Sequence, residues 1–426
     1  MKINALKSAL LGGEYDSRLC YIYGESAVAA QRERYAAAID SFAALYGTDR
    51  EAALYSVAGR SELSGNHTDH NHGRVIAASI DLDIIAVASP NGEDIIRVKS
   101  EGFHEDVIDI NVFTSPRENP EGKSDELIAG TVAGFRQKGY AVGGFDAYTT
   151  SNVLKGSGIS SSAAFEDMIG NILNHIYNDG AIDNVEIAKI AQYAENVFFG
   201  KPCGLMDQVA CAVGGIVAID FADPSAPVIN RLDVDISGAG YNLCITNTGG
   251  NHADLTEDYA SVPAEMKGIA AYFGKTVLRD LSEDDVVASM PILRAQYSDR
   301  AILRALHFFA ENRRVAEQTE ALAKGDLEGF FANVIASGRS SYCYLQNVYT
   351  TKNVSEQGLS VALCLSERLL SGKKAAWRVH GGGFAGTVQA FVPTLDVSAY
   401  REVMDAAFGS GACMVLRIRP VGAIKL

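Results

Sequence analysis

The sequence predicts an α+β fold of two domains, with helices on one side of largely antiparallel sheets. Three observations predict it. The chain has 426 residues, which corresponds to about two domains of ordinary size. Helix-period and strand-period apolar patterns both occur, but they do not alternate as a doubly wound parallel sheet requires. A stretch rich in Pro and Asp, Ala222 to Val228, separates two halves, giving domains 1–228 and 229–426.

The elements follow from their patterns. Tyr35, Ile39, Phe42 and Tyr46 share one face of a helix near the start. Ile84 to Ala88 is a continuous apolar run, and Val107 to Phe113 alternates Ile108, Ile110 and Val112 with Asp109 and Asn111, so both read as strands. A helix is predicted from Ser124 to Lys138 and a strand from Gly144 to Thr150. After a glycine-serine loop comes a helix burying Phe165, Met168, Ile169, Ile172, Leu173 and Ile176. A further helix runs from Asn184 to Phe199, and Ile216 to Asp220 is a short strand. The second half opens with a strand, Tyr241 to Asn247. Helical stretches follow at 299–324 and 357–370, and strands close the chain at 388–392 and 413–418. The first 55 residues carry no functional signature and read as a wrap around the first domain.

Composition narrows the function. Hydrophobic residues make up 47% and charged residues 21%, an ordinary globular balance that excludes disorder as the main state. The net charge of −15 argues against nucleic-acid and anionic-membrane binding, which need a basic face. The seven cysteines form no C-x-x-C pair, so neither a disulfide framework nor a zinc site is suggested. The N-terminus lacks the long apolar core of a signal peptide, and no apolar run is long enough to span a membrane. The expected home is the cytoplasm, with no membrane or nucleic-acid partner and a monomeric or weakly oligomeric state.

Chemistry concentrates where the glycines cluster. The run Gly156-Ser157-Gly158-Ile159-Ser160-Ser161-Ser162-Ala163-Ala164 directly precedes a strongly periodic helix. Small residues let the backbone approach a ligand, and the unpaired first-turn N–H groups favour an anion, so this is either a phosphate cradle or a serine-capped turn. It is not a Walker A loop, because no Gly-Lys-Ser/Thr follows. A second run, Gly59-Arg60-Ser61-Glu62-Leu63-Ser64-Gly65-Asn66-His67-Thr68-Asp69-His70-Asn71-His72-Gly73, is rich in paired donors and acceptors. It suits sugar hydroxyls better than a metal, since its histidine spacing matches no helical metal motif. A third, Arg378-Val379-His380-Gly381-Gly382-Gly383-Phe384-Ala385-Gly386, is a tight turn or a pocket floor. Asp207, in Cys203-Gly204-Leu205-Met206-Asp207-Gln208, lies among apolar neighbours, where desolvation raises its value as a base. Glu195 sits on the predicted 184–199 helix, where most acids are merely solvated.

Taken together and in this order, these motifs resemble the GHMP sugar and metabolite kinases, and within them the galactokinases. The resemblance runs over nearly the whole chain from Gly59. It implies an N-terminal domain like the second domain of ribosomal protein S5 and a ferredoxin-like C-terminal domain. It implies an ATP- and magnesium-dependent kinase acting on the anomeric hydroxyl of galactose, with the sugar and ATP as its small-molecule partners. Asp207 would be the catalytic base, and Arg60 would keep it ionised and neutralise the transferring group. Gly156, Ser157, Gly158, Ser160, Ser161, Ser162 and Ala163 would hold ATP phosphates. Ser162 and Glu195 would bind magnesium. Asn66, His67, Asp69, Gly204 and Tyr259 would contact the sugar, Tyr259 on a looser match running from His252.

The departures from the family pattern matter as much. The family's sugar motif resembles Gly-Arg-x-Asn-Leu-Ile-Gly-Glu-His-x-Asp-Tyr. Here Glu62 replaces the Asn, Ser64 the Ile, Asn66 the Glu that bonds the hydroxyl at sugar carbon 6, and His70 the Tyr. Leu154 replaces a Pro. In the last motif His380 replaces Thr, Gly382 Ala and Ala385 Gly. His380 either contacts a ligand or fills space. The Asn66 exchange leaves open a kinase for a related sugar (galacturonate, arabinose or an N-acetylhexosamine); separate alternatives are a non-catalytic sugar sensor and a mevalonate- or homoserine-type kinase.

Overall fold

The computed structural model describes residues 1–153, 159–201, 203–250 and 255–426. In chain order its elements are α1 (Ile3–Leu11), α2 (Asp16–Tyr23), α3 (Val28–Tyr46), β1 (Ala53–Ser64), β2 (Arg74–Pro90), β3 (Ile95–Ser100), β4 (Glu105–Asp109), α4 (Ser124–Gln137), β5 (Phe145–Ser151), α5 (Ser161–Tyr177), α6 (Asn184–Tyr193), α7 (Met206–Val213), β6 (Ile216–Asp220), β7 (Val228–Leu232), β8 (Tyr241–Asn247), α8 (Thr256–Tyr272), α9 (Glu283–Ala288), α10 (Met290–Gln296), α11 (Asp299–Ala323), α12 (Leu327–Ser340), α13 (Gly358–Leu370), β9 (Ala376–His380), β10 (Thr387–Pro393), α14 (Val397–Phe408), β11 (Cys413–Leu416) and β12 (Ile424–Lys425).

The chain forms two compact units. One comprises Met1–Arg60, Ser79–Gly215 and Arg419–Leu426; the other comprises Ser61–Ala78 and Ile216–Ile418. The sequence expectation is a single boundary near residue 228. The Pro- and Asp-rich stretch there is instead a hairpin turn inside the second unit. Asp220 pairs with Val228 across β6 and β7, and the Asp223 carboxylate accepts the Ser225 N–H at 2.9 Å. An Asx turn of this kind reverses a chain as readily as it links domains.

In the first unit the strands lie in the order β12-β1-β2-β5-β3-β4. Pairing is antiparallel between β2 and β5, with Val87 opposite Tyr148, and parallel between β3 and β5. One face of the sheet buries Ile85, Val87 and Tyr148 under α1–α3, through Leu6, Leu10, Leu19, Ile22, Ile39 and Phe42. Helices α1 to α3 therefore form a layer over the sheet, while residues 53–55 already belong to β1. A buried polar knot pins that layer. Asp83, fully buried, accepts from Tyr23 Oη at 2.5 Å, from Arg34 at 2.6 Å, from Arg419 at 3.0 Å and from Ser56. Burial raises the Asp83 carboxyl, but Arg34 and Arg419 more than offset it and hold it below the usual carboxylate range.

Helices α4 to α7 pack on one another. The expected 184–199 helix is present, but its last turn, Ala194–Phe198, widens to a π-turn. The expected strand 107–113 ends at Asp109, whose carboxylate caps the Asn111 N–H at 2.8 Å and turns the chain. Ile108 and Ile110 are buried as the alternation requires, whereas Val112 is 78% exposed.

In the second unit the order β11-β8-β10-β9 makes an antiparallel sheet. Ala390 faces both Cys244 and Trp377. Helices α13 and α14 cover this sheet through Leu359, Leu370, Tyr400 and Met404. A separate core gathers α8 and α11 around Met266, Ile269, Ala305 and Phe308. Mixed helices and two largely antiparallel sheets match the α+β expectation. Among the described residues, no helix is long and apolar enough to cross a membrane, and all seven cysteines are free.

Candidate active site

The described site residues fall in two groups, one in each unit. In the first unit, α5 begins where the glycine-serine loop ends. Ser160 precedes the helix in the left-handed region, with φ +60°, and its hydroxyl makes no cap to its own helix. It donates instead to the Asp207 carboxylate. Asp207 stands in the first turn of α7. Arg60, on β1, grips it with two parallel bonds, Nε to Oδ1 and Nη2 to Oδ2, each 2.7 Å. The Arg60 N–H also reaches the Ile159 carbonyl at 3.2 Å, tying the strand to the entrance of α5. Burial raises the Asp207 carboxyl, but Arg60 first, then Ser160 and Lys201, more than compensate. Asp207 is thus a carboxylate held ionised, with 31% of its side chain still open.

Beside it lies an acidic cluster. The Ser162 hydroxyl donates to Glu195 Oε1 at 3.1 Å, and Lys201 Nζ approaches the same oxygen at 3.0 Å. Gln208, fully buried, donates to Glu195 Oε2 at 2.8 Å and to Glu166 at 3.3 Å. The π-turn at Ala194–Phe198 is what carries Glu195 into this position, and such turns concentrate at functional sites. Burial and the adjacent Glu195 push the Glu166 carboxyl well above its ordinary range, which favours its protonated form. Ser161, Ser162 and Ala163 open α5, and the first helical bond is Ala164 N–H to Ser160 O, so the N–H groups before it have no partner within the helix. Gly156, Ser157 and Gly158 lie outside the described residues, as does His252. Gly204 is exposed, three residues before Asp207.

In the second unit the loop from Gly65 to Gly73 is held from beneath. Glu311 on α11, fully buried, accepts the Gly65 and Asn66 N–H groups at 3.1 and 3.3 Å and the Ser337 hydroxyl at 2.6 Å. Arg314 pairs with its other oxygen at 2.8 Å. Burial alone would raise the Glu311 carboxyl, but Arg314, His307, Arg378 and Ser337 bring it down to about 2. His307, one turn away, bonds the Asn66 carbonyl at 3.0 Å and Ser340 at 2.8 Å. Burial lowers its imidazole to about 4, so it is neutral at pH 7. This scaffold keeps His67 at φ +58°, a conformation rare for residues other than glycine.

His67 Nε2 then lies 2.9 Å from the Gly382 carbonyl, and Tyr259 Oη donates to the Gly383 carbonyl at 2.9 Å. Asp69 begins a short 3₁₀ turn, Asp69–Asn71. Asn66 is fully buried, in contact with Glu62, Ser341, Asn347 and Gly381. His380 bonds Ser61 at 3.1 Å and Thr387 at 2.8 Å, so both ring nitrogens have protein partners and the residue is 2% exposed.

Sequence reasoning missed Lys201, Glu311, His307 and Asn347. The signal for two of them was present: His307 and Glu311 are spaced i, i+4 on the face of α11 that also buries Ala301, Ala305 and Phe308. A polar pair on a buried helical face must satisfy something, here the backbone of a loop some 240 residues earlier.

Comparison with known proteins gives a consistent result. A family model described as the GHMP kinases N terminal domain matches residues 126–215. Another, the galactokinase galactose-binding signature, matches residues 40–90. A galactokinase of Actinobacillus pleuropneumoniae is 30% identical, over 86% of this chain and 92% of its own length. One from Streptomyces coelicolor is 28% identical over 89% and 94%. Among solved structures, Lactococcus lactis galactokinase complexed with galactose superposes with a TM-score of 0.76 at 23% identity, covering 92% of this chain and all of its own.

Proposed function

This chain belongs to the galactokinase family of GHMP kinases, a family of ATP-using sugar kinases, and from that premise we propose that it transfers the γ-phosphoryl group of ATP to the anomeric hydroxyl of galactose. The observation that carries the reading is the doubly bonded Arg60–Asp207 pair at the entrance of α5.

In this reading the anomeric oxygen attacks the γ-phosphorus while ADP leaves with the electron pair of the broken bond. The hydroxyl proton passes to Asp207. A carboxylate held ionised by Arg60 is a weak base, so the proton moves late, once the oxygen has begun to bond phosphorus and become acidic. Catalysis then rests mainly on position and charge. Arg60 and the N–H groups at the start of α5 face the phosphoryl oxygens, and His67, Asp69, Gly204 and Tyr259 bond the sugar.

Magnesium fits the residues present. Ser162 and Glu195 offer only hard oxygen atoms, in mutual contact. Among the described residues no set of three or more His, Cys, Asp or Glu gathers as a metal cage. Magnesium is usually held by one or two protein oxygens plus phosphates. Lys201, which shares Glu195, is 61% exposed along its side chain. When bound, the ion neutralises phosphate charge.

A C6 carboxylate, as in galacturonate, lacks support. Arg378, which shares Glu62 with Asn66, is fully buried and already paired with that carboxylate at 2.8 Å. Free thiols throughout support a cytoplasmic site of action.

The test is ADP release with ATP and magnesium across galactose, galacturonate, arabinose, N-acetylgalactosamine and glucose. Galactose is expected to lead, and Asp207→Asn to lose turnover while still binding the sugar. Near-normal turnover by Asp207→Asn sinks the mechanism. Preference for another sugar overturns the substrate, and silence with every sugar points to a sensor.

A further inference from the structure

We propose that Asn66 is a positioning residue and makes no contact with the sugar: its amide fastens the Gly381–Gly383 turn and the Ser341–Asn347 segment to the loop that carries His67. The proposal rests on the galactokinase reading above.

An amide side chain has two N–H donors and two acceptor lone pairs. Asn66 uses all four. Its Nδ2 donates to the Gly381 carbonyl at 2.6 Å and to Glu62 Oε1 at 3.2 Å. Its Oδ1 accepts from Asn347 Nδ2 at 2.7 Å and from the Ser341 hydroxyl at 3.2 Å. The residue is 0% exposed. A ligand hydroxyl would have to break one of these bonds to reach it, leaving a buried partner unsatisfied. The amide orientation is assigned by its surroundings: Nδ2 faces a carboxylate and a carbonyl, which only accept, and Oδ1 faces an amide N–H.

The partners explain what the amide does. The second N–H of Asn347 goes to the Gly382 carbonyl at 3.0 Å, and the Asn347 carbonyl accepts the Phe384 N–H. Gly383 has φ +79°, and a Cβ there would lie 2.0 Å from that carbonyl, so the turn closes tightly only on glycine. The same turn offers Gly382 and Gly383 to His67 and Tyr259. Asn66 thus sets the place of the turn on which two proposed sugar contacts rest. Glu62 orients the amide and is itself fixed by the fully buried Arg378.

A residue that touched carbon 6 of the sugar would change the preference between galactose and a sugar altered there. One that places His67 and Tyr259 changes the rate with every sugar by the same factor. The experiment measures kcat/KM of the full chain with galactose, 6-deoxygalactose and L-arabinose, which lacks carbon 6. In Asn66→Asp, an oxygen takes the place of Nδ2 and faces Glu62 and the Gly381 carbonyl, where only acceptors stand. We expect kcat/KM to fall at least tenfold with each sugar the wild type accepts, and the ratios between sugars to stay within twofold of wild type. Glu62→Gln in the Asn66→Asp background restores a donor between the two side chains but not the bond to Gly381, and is expected to recover only part of the loss. Ser341→Ala, which removes one donor and folds more readily, is expected to give a smaller fall with the same constant ratios.

A ratio shifted more than twofold in any of these variants overturns the proposal, as does wild-type behaviour of Asn66→Asp. Absence of ADP from the wild type with every sugar overturns the kinase reading instead, and this proposal with it. Wild-type turnover with a shifted variant ratio overturns this proposal alone.

Discussion

Replacing Arg60 with methionine keeps an unbranched apolar stem and removes the guanidinium and its charge. Two N–H···O bonds of 2.7 Å to Asp207 are lost. A hydrogen bond to a charged group contributes about 1.5–3 kcal/mol. Because 31% of the Asp207 side chain and 11% of Arg60 remain open to water, the lower figure applies to each bond. Their sum is about 3 kcal/mol, which at 1.36 kcal/mol per decade is a fall of roughly 150-fold in kcat. The sign of the pH effect follows separately. Burial raises the Asp207 carboxyl, and Arg60 is the largest influence holding it down. Without Arg60 burial prevails, the folded-state pKa rises, and the ionised form is lost at a higher pH as acid is added. The acid limb of kcat/KM should therefore move to higher pH in Arg60→Met. Steady-state ADP release from pH 4 to 9 reads both effects. A kcat within fivefold of wild type, equivalent to about 1 kcal/mol, together with an unmoved acid limb, would refute the role given to the pair.

Ser162→Ala removes one of the two oxygens proposed for magnesium and should raise the magnesium concentration for half-maximal rate by roughly tenfold; a magnesium titration at saturating ATP checks it, and an unchanged titration removes Ser162 from the site. Glu311→Gln should destabilise the chain by about 3–5 kcal/mol at pH 7, because Arg314 and the loop N–H groups lose their buried anion. The Glu311 carboxyl lies at about 2 in the folded chain against an ordinary 4.5. A depressed folded-state pKa gives stability that is complete above 4.5 and lost as pH falls toward 2. In urea unfolding, the gap between wild type and Glu311→Gln should be widest at pH 6–7 and should close between pH 4.5 and 2; a gap independent of pH would contradict the assignment.

Much of the fold and part of the site were legible because their signals are local. The helix α5 is written in Met168, Ile169, Ile172 and Leu173, all fully buried as the period requires. The strand β8 and the long α11 follow their apolar patterns in the same way. The strand expected to reach Phe113 stopped at Asp109 because a single carboxylate capped the turn, which competes with pairing over one residue. The N-terminal layer had no functional signal to read. Its reason lies in Asp83, which needs Tyr23, Arg34 and Arg419 from distant parts of the chain.

By itself the sequence determined the α+β class, the order of the glycine-rich motifs and the chemical identity of Asp207, Arg60, Ser162 and Glu195, since residue type and spacing along the chain are local properties. The tertiary structure decided which of these groups touch. It paired Arg60 with Asp207 across 147 positions and let a π-turn bring Glu195 to Ser162. It also decided that Asn66 is enclosed: the four partners of its amide are spread from Glu62 to Gly381, and hydrogen-bond capacity is satisfied only once those segments are packed together. A sequence shows what a side chain can bond; burial and geometry determine what it has left to offer a ligand.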